Sequence, residues 1–261
     1  MLFFKRILKE PEKAAEPPPP DAPHAPPPQV ERRSSKRYVV NPQFPLKAVL
    51  SFVGRDDTGV PMSNSRHGWN WKGRLIDCSE QGARIQMGPV FKVATRDLCD
   101  LMLTVEDFEL TVPCHIRNIR EHADGVIFGL KHDIEDGKTL AAYDQLLEVL
   151  ALGSTLKSQG KSRNPDESGW LVERFASDRP SRLTIWRHPA NAAVAAFAFQ
   201  LKDSLVRANY GGHLEFRTGP DARPATAAKS LEIQRLFNWV LPNLAASVPE
   251  DVREFLRRYA A

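Results

Sequence analysis

Arg32, Arg33 and Arg37 lie close together in the chain, and Asp77, Ser79 and Gly82 form a second close group. The first contains R-x-x-x-R, Arg33 to Arg37, and the second has the form D-x-S-x-x-G, from Asp77 to Gly82. A guanidinium is a planar, permanently charged fork of N–H donors. It matches a phosphate or the O6 and N7 acceptors of guanine bidentately and also stacks on a base, which lysine does not do equally well. A carboxylate accepts from the N1–H and N2–H edge of guanine, and a serine hydroxyl donates or accepts. A glycine admits a close backbone approach or a positive φ. These types suit recognition of phosphate and purine rather than bond cleavage, and no residues are assigned as catalytic.

The elements that must position them follow from periodicity. Residues 11–30, rich in proline, read as an extended linker, so the arginines after it sit on a segment that folds over a ligand and becomes ordered when one binds. From Pro45 to Asp133 short alternating runs are separated by turns. They are Leu46 to Val53, Trp69 to Ile76, Ala83 to Met87, Cys99 to Val105, Phe108 to Arg120 and Gly125 to His132. Six such strands predict a small antiparallel barrel or sandwich, with Asp77 at a strand end and Gln81-Gly82 in the turn. Leu140, Tyr143, Leu146, Leu147, Leu150 and Ala151 then recur at helical spacing and predict a helix against the barrel, stopping before Gly153. The polar stretch Ser154 to Ser168 reads as the boundary of a second domain. That domain has predicted strands at Arg182 to Arg187 and His213 to Arg217. Its predicted helices are Ala190 to Asn209, Ser230 to Val240 and Pro249 to Ala260.

Either motif alone is common, but both in this order, around a six-stranded pattern closed by a helix, resemble the PilZ family of cyclic di-GMP receptors over residues 31–156. The resemblance implies a six-stranded antiparallel β-barrel with a trailing α-helix, followed here by a C-terminal α/β domain. It implies that Arg33 and Arg37 contact guanine and phosphate while Asp77, Ser79 and Gly82 line the floor. It further implies that Arg32, just before the first motif arginine, accompanies an intercalated pair of ligand molecules. The expected organisation is a short amphipathic tail (1–10), a Pro-rich linker (11–30), the PilZ-like domain (31–156), a linker (157–168) and an α/β domain of unassigned role (169–261). The expected function is a non-enzymatic receptor that changes conformation or partner contacts on binding cyclic di-GMP, with a protein partner and no other cofactor. The alternatives are a PilZ-like scaffold that binds no nucleotide, in which Arg32 to Arg37 are a solvated basic patch, and a single-stranded nucleic-acid-binding barrel.

Other classes find less support. The 36 basic and 32 acidic residues are spread along the chain, so no basic face for nucleic acid is expected beyond Arg32 to Arg37. Cys78, Cys99 and Cys114 are an odd number without C-x-x-C spacing, pointing to a reducing cytoplasm and no metal site. Cys78 is expected to be a small strand-end residue rather than a nucleophile. Trp69 and Trp71 alternate onto one face and are expected in the core, with Trp170, Trp186 and Trp239 also read as packing residues. The loop from Asp56 to Asn70 exceeds a tight hairpin and is long enough to cover a site, but packing or simple variability is the preferred reading of its length. No apolar run approaches the roughly 20 residues of a membrane span. Met1 to Glu10 lacks the core of a signal peptide but has Leu2, Phe3, Phe4, Ile7 and Leu8 with three basic residues, which suits weak contact with the inner membrane surface.

Overall fold

A computed structural model describes residues 35–52, 70–88, 93–209 and 211–260. The tail, the proline-rich linker, Arg32, Arg33, Trp69 and the loop before Asn70 lie outside the described residues. The first half comprises β1 (Tyr38–Val39), β2 (Lys47–Phe52), β3 (Asn70–Ser79), β4 (Gly82–Met87), β5 (Leu98–Val105), β6 (Phe108–His122) and β7 (Gly125–His132). Strands β2 to β7 are antiparallel in the order β3-β2-β5-β6-β7-β4. Pairing of β4 with β3 closes them into the six-stranded barrel expected from the alternation. Alternation drives closure: Cys99, Leu101, Leu103 and Val105 of β5, and Ala83, Ile85 and Met87 of β4, are buried, while Met102, Arg84 and Gln86 face outward. The short strand β1, absent from the sequence reading, adds beside β3.

Helix α1 (Gly137–Ser154) follows, capped by Asp136, whose side chain accepts from the backbone N–H of Lys138 at 3.0 Å and Thr139 at 2.8 Å. Tyr143, Leu146, Leu147, Leu150 and Ala151 seal the barrel core. The helix does not stop before Gly153. Gly153 lies within it because a Cβ there would meet the Val240 carbonyl oxygen at 2.9 Å, so it is a packing glycine rather than a terminator.

Beyond α1 the chain builds a second antiparallel sheet in strict sequence order. Its strands are β8 (Lys157–Lys161), β9 (Leu171–Ala176), β10 (Ser181–Arg187), β11 (Val194–Leu201), β12 (Ser204–Asn209), β13 (Glu215–Thr218) and β14 (Arg223–Pro224). Helices α2 (Ala227–Val240) and α3 (Glu250–Arg257) pack on it, joined through a 3-10 turn at Leu241–Asn243. β8 occupies part of the polar stretch read as a linker and forms an exposed edge with lysine at both ends, a composition that discourages edge-to-edge pairing. The helix expected over Ala190 to Asn209 is instead the hairpin β11–β12, with Lys202 at φ 58° in its turn. The alanines suggested a helix, but Phe197, Phe199 and Leu201 alternate onto the buried face between two neighbouring strands. Trp170, Trp186 and Trp239 are partly buried, and Trp71 packs against the barrel core. None of the described helices is long and apolar enough to cross a membrane.

Residues 35–261 form one compact unit because α1 serves both cores. Leu152, one residue beyond the last barrel-facing position Ala151, belongs to the second core, as does Leu156 just after the helix. Gly153→Ala should therefore lower stability by about 1–3 kcal/mol. The barrel and second sheet should still unfold in one transition, checked by denaturant unfolding followed at far-UV ellipticity and tryptophan emission.

Candidate functional site

Pairing of β1 with β3, Tyr38 opposite Cys78 and Val39 opposite Asp77, lays the arginine motif alongside the D-x-S-x-x-G motif. Arg37 Nη1 donates to Asp77 Oδ1 at 2.6 Å, joining residues 40 apart in sequence. A bulge in β3 at Ile76 makes this geometry possible. By simple alternation Asp77 would share the inward face of Leu75, but the extra residue turns it outward, opposite Arg84. Arg84 Nε donates to Asp77 Oδ2 at 2.6 Å, and its Nη2 bonds the same oxygen. Asp77 is 1% exposed, whereas the Arg37 and Arg84 side chains are 31% and 39% exposed. One buried carboxylate thus holds two guanidiniums, which keep unused N–H donors toward solvent and a net positive charge suited to an anion.

Ser79 and Gly82 shape the turn. Ser79 Oγ donates to the Gly82 carbonyl at 3.1 Å, and the Ser79 carbonyl accepts from Tyr143 Oη at 3.0 Å. Gly82 is set by a close approach, since a Cβ would sit 2.2 Å from the Leu130 carbonyl oxygen of β7. Arg84 was missed by the sequence reading. The available signal was alternation, because Arg84 lies between the inward Ala83 and Ile85 and two residues after Gly82. Of the six residues read from the sequence, the structure brings Arg37, Asp77, Ser79 and Gly82 together.

Burial pushes the Cys78 thiol up to about 12, so it is inert packing beside Asp77. His132 closes the far side of the turn, its ring edge-on to Tyr143 at 4.6 Å with no hydrogen bond from either ring nitrogen among the described residues. Burial pushes it down to about 4, partly opposed by the Glu80 backbone and the charge of Asp133.

The described residues thus form a closed antiparallel barrel bearing a cationic cluster on a buried carboxylate. Residues 31–146 match the PilZ domain family, and this part of the chain is a PilZ domain. A search of curated proteins found no match. Among solved structures, the MrkH–c-di-GMP complex of K. pneumonia is 16% identical, with a TM-score of 0.35, over 45% of this chain and 52% of that one. The PilZ domain of Escherichia coli YcgR with c-di-GMP is 9% identical, with a TM-score of 0.34, over 46% of this chain and 92% of that one. The chain thus spans about half the length of the MrkH chain.

Two outcomes follow from this geometry. Gly82→Ala should destabilise the barrel by about 3 kcal/mol or more, because the new methyl meets backbone rather than a movable side chain, as thermal unfolding will report. His132 takes up a proton more readily unfolded than folded, so its contribution is complete above about 6.5 and is lost as pH falls toward about 4. His132→Phe should flatten the fall in unfolding free energy over that window by on the order of 1–3 kcal/mol, measured by urea titration at several pH values.

Proposed function

We propose that the chain is a cyclic di-GMP receptor that binds the messenger at the Arg37–Asp77–Arg84 cluster, with Arg33 completing the R-x-x-x-R fork. The observation that carries this reading is the 2.6 Å contact between Arg37 and Asp77, which unites the two motifs in a PilZ domain. Asp77 acts chiefly as an anchor, since both its oxygens already hold guanidiniums and it has almost no exposed surface. Arg37 and Arg84 then offer charged donors to phosphate and to the O6 and N7 edge of guanine. Ser79 and Gly82 hold the turn that supports them. Arg32 supplies an extra guanidinium for a second guanine, so the ligand is an intercalated pair. Binding alters how the barrel presents itself to a protein partner, while the basic, apolar segment 1–10 contacts the inner membrane surface weakly.

Titration calorimetry with cyclic di-GMP tests this. Arg37→Ala and Arg33→Ala should each weaken binding at least about tenfold, in line with roughly 1.5–3 kcal/mol for a charged bidentate contact. Wild-type affinity in either would remove that arginine from the site. Asp77→Asn should weaken binding by releasing both guanidiniums. The wild-type ratio should be two ligands per chain, falling toward one in Arg32→Leu. A wild-type ratio of one overturns the intercalated pair, and no binding at all leaves the non-binding scaffold.

A further inference from the structure

The extended segment that carries Arg37 into β1 has two faces with different partners. Arg37 and Val39 lie on one, beside Asp77, with Val39 64% exposed. Lys36, Tyr38 and Val40 lie on the other, where Tyr38 and Val40 enter the barrel core. That second face is gripped from outside the PilZ domain. Lys36 Nζ pairs with Asp178 in the β9–β10 turn, and the hydrogen bond it donates holds the Asp178 carboxyl below the usual range. Arg179, next in that turn, donates from Nη2 to Tyr38 Oη at 2.9 Å, with its guanidinium 6.0 Å from the ring centroid. Asn243, after α2, accepts from the backbone N–H of Asn41 at 2.8 Å.

The turn that reaches across is itself braced. The backbone N–H of Ser177 bonds the Ser181 carbonyl at 3.1 Å, the Arg179 N–H bonds Ser177 Oγ at 2.9 Å, and Ser177 Oγ also meets Thr155 at the end of α1. Asp178 and Arg179 therefore project from a fixed support rather than a free loop. A long cation and a phenol reaching the same short turn are two independent tethers on three consecutive residues, with Arg37 between them.

We propose that Asp178 and Arg179 are positioning residues for the ligand site, through which the C-terminal sheet holds the segment carrying Arg37 in its binding geometry. The proposal rests on the cyclic di-GMP reading above and names the contacts that couple that site to the second sheet. By linkage, whatever moves the β9–β10 turn changes messenger affinity, and messenger binding stabilises the turn by the same factor. The C-terminal sheet thereby acquires a role in the binding of the messenger, as the other end of one energetic connection.

The test uses the full chain with two readouts, hydrogen exchange at the Val40 amide, which bonds the Ile76 carbonyl at 2.9 Å, and calorimetry with cyclic di-GMP. Asp178→Ala and Arg179→Ala should each speed exchange at Val40 without ligand and weaken affinity by about two- to tenfold, the range of one lost polar contact. Tyr38→Phe should reproduce Arg179→Ala, and Asp178→Glu should restore wild-type behaviour. Asp221→Ala, which breaks the exposed Asp221–Arg223 pair of the same sheet, should change neither readout. Unchanged exchange in Asp178→Ala and Arg179→Ala overturns the clamp. Faster exchange with wild-type affinity overturns the positioning role and leaves only a structural contact. Failure of the wild type to bind overturns the cyclic di-GMP reading instead, and the exchange readout still decides whether the clamp exists.

Discussion

A carboxylate removed almost wholly from water is tolerable only with well-aligned cationic partners, and Asp77 meets that condition with Arg37 and Arg84. Removing one partner of a buried pair generally costs about 3–5 kcal/mol, so the cluster tends to be complete or absent. Much of the local architecture can be understood as meeting that requirement. The bulge at Ile76 aims the aspartate outward, β4 supplies Arg84 directly opposite, and β1 brings Arg37 from far away in sequence. Gly82 lets β4 approach β7 closely enough to hold the turn beneath them.

The same cluster explains why the barrel is sealed as it is. Tyr143 of α1 places its hydroxyl on the Ser79 carbonyl and its ring against His132, so the helix buttresses the turn on which Asp77 depends. A buried phenol is accommodated because its O–H finds an acceptor. α1 then continues without interruption into the second core through Leu152, and the motif turn and the second sheet share one rigid element.

The second sheet has a charged anchor of its own. Arg187, 4% exposed, bonds Glu173 across the strands at 2.9 Å and also pairs with Asp251 of α3, pinning that helix to the sheet. Both modules thus use a buried guanidinium–carboxylate contact to fix one element against another. They differ in exposure: the Arg37 and Arg84 side chains remain partly open to solvent, while Arg187 is enclosed. The enclosed guanidinium spends its donors within the protein, whereas the partly open ones keep donors facing solvent.

Local pattern by itself determined a great deal here. The strands of the barrel, the helix after it and the two polar motifs were legible because inward and outward residues alternate cleanly and the turn residues are distinctive. Arg37, Asp77, Ser79 and Gly82 were legible as a group from residue type and spacing. Only tertiary structure decided that Ala190 to Asn209 pairs as strands, because alanine-rich segments take their conformation from their neighbours more than from intrinsic preference. Only tertiary structure revealed that Gly153 is a contact glycine, that a bulge reverses Asp77, and that Arg84 and the Asp178–Arg179 turn reach the arginine segment. Those facts depend on contacts between residues far apart in the chain, and local periodicity carries no information about which distant strands will meet.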